Sequence, residues 1–105
     1  MPYEIVFFDE ALEAWEKLDN SVRMQFKKKL AKLIDAPYVK NSELVNELKG
    51  SYKIKINSTG HRLVYQVDEA QQQLQIIAVG HRNGKQVYLA ALDILRSVDP
   101  QRMRE

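Results

Sequence analysis

The sequence predicts an α+β fold: a small single domain whose antiparallel sheet carries two N-terminal helices and a C-terminal helix, in the order β-α-α-β-β-β-α. Three observations predict it. A short β-branched and aromatic run near the N-terminus is followed by two stretches with apolar residues at helical spacing. The stretch "YKIKINSTGHRLVYQV" (52–67) then alternates in the manner of a hairpin, and "LQIIAVG" (74–80) is an apolar run suited to a central strand. Helical spacing returns in "KQVYLAALDILRSV" (85–98).

Each element has its own signal. "YEIVFF" (3–8) has the composition of a strand. Asp9 is placed to cap a helix reaching about Leu18, with Ala11, Leu12, Trp15 and Leu18 on its apolar side. Asn20 or Ser21 caps a second helix with Val22, Phe26, Leu30, Leu33 and Ile34 on one stripe, and Pro37 forces its end. Only a few residues join the two, which makes them antiparallel neighbours. Between Pro37 and Ser51, "NSELVNELKG" reads either as one short helix or as an ordered loop. "NG" at 83–84 marks a turn before the closing helix. The domain spans residues 1–98, and residues 99–105 form a C-terminal tail.

Composition narrows the function. A chain of 105 residues, 45% hydrophobic and 29% charged, has the make-up of an ordinary soluble domain. No apolar run is long enough to span a bilayer, and the N-terminus lacks the basic and small-residue features of a secretory signal. The absence of cysteine excludes disulfides, thiolate catalysis and Cys-ligated zinc, and agrees with a cytoplasmic setting. The net charge of +2 conceals an asymmetry: residues 1–20 sum to −5 and residues 21–62 to +7. Such a distribution suggests a face for an anionic partner, although two oppositely charged solvated helix faces explain it equally well.

The hairpin weighs on that choice. Tyr52, Ile54 and Ile56 share one face of the first strand, with Lys53, Lys55 and Asn57 on the other. On the return strand Leu63, Tyr65 and Val67 oppose Arg62, Val64 and Gln66. The two apolar sets can share a buried face only if the loop has an even number of residues, and that register brings Lys53, Lys55 and Arg62 together on the exposed face. Convergent cations repel, and no acid interrupts these strands before Asp68, so an anion site is the stronger explanation than a solubilising edge.

Arg82 follows the apolar strand directly, and Tyr88 begins the last helix, where an ordinary half-buried aromatic would also sit. His61 and His81 have no acidic or cysteine partner at ligand spacing, so no metal site is predicted; either could serve as acid or base, and the spacing assigns neither. There is no nucleophilic serine in a recognisable turn and no phosphate-binding glycine loop. A cationic set of this kind suits a phosphate that gains charge in its transition state. RNA brings its own nucleophile, the 2′-OH. Mutual repulsion among clustered cations favours a neutral lysine as base, and bound phosphate opposes it.

At "ALEAWEKLDNSVRMQFKKKL", "YKIKINSTGHRLVYQV" and "VGHRNGKQVY" the chain resembles the RelE toxins of bacterial toxin–antitoxin systems, in order and with similar spacing to about Leu95. The resemblance implies a ribosome-dependent mRNA endonuclease that needs no cofactor and cleaves the A-site codon by attack of the 2′-OH on the adjacent phosphate. It implies catalytic roles for Lys53, Lys55, Arg62, Arg82 and Tyr88: the lysines position and neutralise the phosphate, with Lys55 a candidate base. Arg62 stabilises the transition state, Arg82 stabilises it or protonates the leaving oxygen, and Tyr88 stacks on or orients a base. Arg23, Lys27, Lys28, Lys29 and Lys32 would contact ribosomal RNA, with Lys49 and His81 as further contacts. Individual lysines there also fit a solvated helix face.

The implied partners are the ribosome and mRNA, a RelB-like antitoxin, and operator DNA reached only through the antitoxin complex. Three departures from the family pattern stand out: His81 in place of a lysine or arginine, a shorter "KGSYK" connection, and the tail "DPQRMRE". Two rival functions remain open, a ParE-like gyrase inhibitor and a non-catalytic RNA- or protein-binding module on the same scaffold.

Overall fold

The computed structural model describes residues 2–39, 43–44, 50–81 and 91. Among these, the chain forms β1 (Glu4–Phe7), α1 (Asp9–Glu16), α2 (Asn20–Leu33), β2 (Ser51–Ile56), β3 (His61–Asp68) and β4 (Gln73–His81). In the segment 41–50, read either as a short helix or as an ordered loop, Glu43 bridges to Tyr52 and the Leu44 amide donates to the Ser51 carbonyl at 2.8 Å. Residues 45–49, most of the expected closing helix and the tail lie outside the described residues.

The four strands make one sheet in the order β1-β4-β3-β2. β2, β3 and β4 run as an antiparallel meander. β1 pairs with β4 in parallel, Glu4 opposite Gln73 and Phe7 opposite Ile76, so the sheet is mixed rather than wholly antiparallel. The cause lies in the connection: the two helices carry the chain from β1 across to the far edge, and the meander brings β4 back beside it pointing the same way.

The helices start slightly differently from expectation. Phe8, extended at φ −70°, ψ 151°, precedes α1, and Asp9 lies in its first turn, where a carboxylate favours the positive end of the helix. Asp19 precedes α2, which ends at Leu33, short of Pro37. Ala11 and Trp15 are buried with Leu18 packed beside them, whereas Leu12 is 40% exposed, being one residue off the stripe.

The main core lies between the helices and one sheet face. Val22, Phe26 and Leu30 of α2 and Trp15 of α1 meet Ile54, Ile56, Leu63, Tyr65, Leu74, Ile76 and Val79. Phe7, Trp15 and Phe26 form a row with ring centroids 5.2 and 6.0 Å apart. A second row of Tyr38, Tyr52 and Tyr65 lies at 6.0 and 5.5 Å. Tyr65, fully buried, donates a 2.7 Å hydrogen bond to the Pro37 carbonyl oxygen. Tyr3 and Tyr38 both donate to one carboxylate oxygen of Glu69, which ties the N-terminus and the segment after α2 to the β3–β4 turn.

The opposite sheet face is not all solvent. Val64, Ile77, Ala78 and Ala91 form a second buried cluster. Ala91, the described residue of the closing helix, is helical and buried on this face. Ala91 therefore lies on the face opposite the first two helices, and the two apolar faces of β4 call for cover on both.

A bulge links the two cores. Between Val64/Tyr65 and β4 the register shifts, so that Tyr65 faces Ile76 while Val64 faces Ala78, and Ile77 is the extra residue. Before the bulge Leu74 and Ile76 face the helices; after it Val79 and His81 do. Strict alternation from Leu74 would have sent His81 to the other face.

Candidate active site

The hairpin places the first three cations. β2 and β3 are joined by the four-residue loop Asn57–Gly60, of even length as the apolar sets require. Gly60 closes it with φ +79° and an amide that donates to the Ile56 carbonyl at 2.9 Å, a conformation in which a Cβ would be strained. Lys55 stands directly opposite Arg62, and Lys53 opposite Val64, so the three basic side chains share one face. The two lysines are about 7 Å apart along the strand.

Their surroundings differ. Lys55 is exposed, Lys53 half-buried, and Arg62 only 7% exposed. The face expected to be exposed is only partly so: Val64, Ala78 and Ala91 build the second core alongside, and Arg62 is enclosed at its margin. Arg62 Nη1 donates to the His61 carbonyl at 2.9 Å. No carboxylate opposes it in either ladder, its cross-strand neighbours being Lys55 and Gly80. Gly80 leaves the space over Arg62 free of a side chain on that strand. A buried guanidinium behind two lysines forms a directed electropositive surface suited to a phosphate. Arg82, Tyr88 and Lys49 lie outside the described residues.

His81 does not stand with these cations. The bulge turns it to the helix side, where its ring meets that of His61 at a centroid distance of 5.3 Å. His61 Nδ1 lies 2.8 Å from the Thr59 hydroxyl, and His81 Nε2 lies 2.8 Å from the Thr59 carbonyl oxygen. Burial, and secondarily His81, hold the His61 imidazole below its ordinary value, against an opposing pull from Asp19. Among the described residues no three His, Asp or Glu side chains gather as metal ligands.

On α2 the predicted basic residues separate into two groups. Arg23 Nη1 donates to the carbonyl oxygens of Glu16 and Leu18 at 3.1 and 2.6 Å, so its guanidinium serves the end of α1. Lys27, Lys28, Lys29 and Lys32 are exposed. Gln25, Lys28, Lys29 and Lys32 line a shallow concavity of about 330 Å³.

Sequence reasoning missed Thr59, which touches both histidines, and Gly80. A threonine in a turn carries no signal by itself. The repeated Gly-His-Arg at 60–62 and 80–82 was the available clue.

A two-helix layer on this mixed four-stranded sheet, with a cationic hairpin face, defines a small toxin-like α+β domain, and comparison with known proteins names the class. The family model for the ParE toxin of type II toxin–antitoxin systems, parDE, matches residues 5–85. The mRNA interferase toxin RelE of Escherichia coli K12 is 40% identical over 95 residues, spanning 88% of this chain and 96% of its own. A RelE-like toxin protein of Escherichia coli is 41% identical over 96 residues, 91% of this chain and all of that one. Among solved structures, an arginine double mutant of E. coli RelE in the free state superposes with a TM-score of 0.80 at 37% identity, covering 93% of this chain and 100% of that one. The toxin chain of the intact E. coli RelBE toxin–antitoxin complex gives 0.72 at 39%, covering 75% and 95%. The chain belongs to the RelE toxins, within the RelE/ParE superfamily.

Proposed function

We propose that this protein is a metal-independent endoribonuclease that cleaves mRNA in the ribosomal A site. The observation that carries the reading is the direct opposition of exposed Lys55 and buried Arg62, with Lys53 on the same face. The 40% identity to a protein named as an mRNA interferase supports it. In the reaction the 2′-oxygen forms a bond to the adjacent phosphorus, a base removes its proton, and the 5′-oxygen leaves with a proton from an acid. The products are a 2′,3′-cyclic phosphate and a free 5′-hydroxyl. Lys53 and Lys55 neutralise the phosphate, Lys55 is the candidate base, and Arg62 stabilises the charge that grows on the phosphoryl oxygens. Arg82 and Tyr88 complete the set as acid or stabiliser and as base-stacking group. Lys27, Lys28, Lys29 and Lys32 hold ribosomal RNA phosphates.

A RelB-like antitoxin is the inferred neutralising partner, supported by the solved RelBE complex of the related toxin. Among the described residues no helix is long and apolar enough to cross a membrane. The ribosome places the activity in the cytoplasm.

Primer extension on a defined mRNA in purified translating ribosomes tests the reading, with wild type and Arg82→Ala. Cleavage inside the A-site codon, absent on free RNA and lost in the variant, is the expected result. Because the matching family model carries the ParE name, gyrase inhibition is the second reading. A supercoiling assay that responds to the wild type, with no cleavage on ribosomes, would establish it instead.

A further inference from the structure

The tripeptide Gly-His-Arg occurs twice, at 60–62 and 80–82. β3 and β4 bring the two copies together antiparallel, His61 opposite His81 and Arg62 opposite Gly80. The imidazoles meet edge to face, at 78° between planes. Thr59 touches both, through its hydroxyl to His61 and its backbone carbonyl to His81. A carbonyl oxygen only accepts, so the proton on that contact belongs to Nε2 of His81. The RNA chemistry proposed above uses none of these groups. Yet the His61 carbonyl is where buried Arg62 rests its guanidinium.

We propose that Thr59, His61 and His81 form a proton-sensitive clasp that positions Arg62. With His61 neutral, Thr59 ties the β2–β3 turn to the last rung of β4, and the His61 carbonyl holds Arg62 in place. Protonation of His61 puts a positive charge edge to face with the neighbouring ring and opens that rung, releasing Arg62. The inference rests on reading the Lys53–Lys55–Arg62 face as the anion site, and concerns its regulation.

The groups facing His61 set the direction. His81 on β4 opposes its charge, Asp19 at the junction of α1 and α2 favours it, and burial opposes it most. Arg62 and Lys55, next along β3 and β2, stand on the opposite face of the sheet and do not face the ring. Burial and repulsion prevail over Asp19, so the folded protein resists the proton. A histidine held below its ordinary value of 6.5 keeps the clasp closed above that pH, and the clasp opens as pH falls through the lower, folded value.

The test is a titration of the isotope-labelled full chain by NMR from pH 7.5 to 5. The imidazole Cε1–H signals of both histidines, the Thr59 amide and the Arg62 Nε–H are followed in wild type, Thr59→Val and His81→Asn. The expected result is a His61 midpoint below 6.5, shared by Thr59 and Arg62. In His81→Asn the His61 midpoint moves upward and that of Arg62 follows it. An Arg62 signal that stays flat through the His61 titration overturns the proposal. So does an Arg62 midpoint that stays put when that of His61 moves. His81→Asn keeps the test available where Thr59→Val disturbs the turn. No RNA is needed: failure to cleave on ribosomes at every pH, with the coupled titration intact, would sink the nuclease reading and leave the clasp standing.

Discussion

Replacing Arg62 by methionine separates its chemical role from any structural one. The side chain is 7% exposed, Lys55 lies opposite it, and its hydrogen bond goes to the neighbouring His61 carbonyl. Methionine keeps much of the stem that packs beside the second core and removes the charge. Like charges directly opposite in an antiparallel pair cost roughly 0.2–1 kcal/mol, so relieving them stabilises by about that amount. For a domain near this size, 1 kcal/mol moves Tm by about 4–8 °C. Arg62→Met is therefore expected to raise Tm by up to about 8 °C in a calorimetric scan. Loss of one preorganised donor to a charging oxygen costs about 2.7–4 kcal/mol in the transition state, a factor of roughly 10²–10³ in kcat. Single-turnover cleavage on programmed ribosomes measures it. A more stable, slower protein is the signature of a buried cation kept for chemistry. A fall in Tm of more than about 5 °C would refute the argument by showing that Arg62 holds the fold. An unchanged cleavage rate would remove Arg62 from the site.

Three further outcomes follow from the geometry. Changing Lys28, Lys29 and Lys32 together to alanine should weaken ribosome binding and flatten its logarithmic salt dependence by about 2–3, close to one counterion per lost phosphate contact, as read by binding at several salt concentrations. Tyr65→Phe leaves the buried Pro37 carbonyl without its 2.7 Å partner and should cost about 1–3 kcal/mol in urea unfolding. Hydrogen bonds from Tyr3 and Tyr38 hold the Glu69 carboxyl below its ordinary 4.5, so the stability it contributes is present above that value and is lost as pH falls through the lower, folded one. Glu69→Gln should remove that acid-side loss from a plot of Tm against pH.

Much of the hairpin could be read directly. Ile54 and Ile56 had to share a side with Leu63 and Tyr65, which demanded a loop of even length and so aligned Lys55 with Arg62. What escaped the sequence were features decided by contacts between distant segments. "LQIIAVG" is apolar at every position before its glycine except Gln75, so no alternation marks Ile77 as a bulge, and only pairing with β3 reveals that the parity changes there. Hence His81, grouped with the RNA-contacting residues, turned out to face His61. Arg23 looked like its lysine neighbours, but its guanidinium reaches back to the last carbonyls of α1 because the helix junction brings them within range. Val64 alternates with Arg62 and Gln66 on what the sequence marks as the polar face, and Ala91 covers it there.

The parallel pairing of β1 with β4 also fixes an order of events during synthesis. Glu4 finds its partner only when Gln73 exists, and the chain between them takes on the order of ten seconds to be made at ordinary elongation rates. Until then the first strand has no sheet to join and the helices have only part of the surface they cover. The last rung to form, His61 against His81, is also the one beside Arg62. A ribosome that has not yet made β4 therefore carries an unassembled chain, and the cationic face is completed only once that strand has paired.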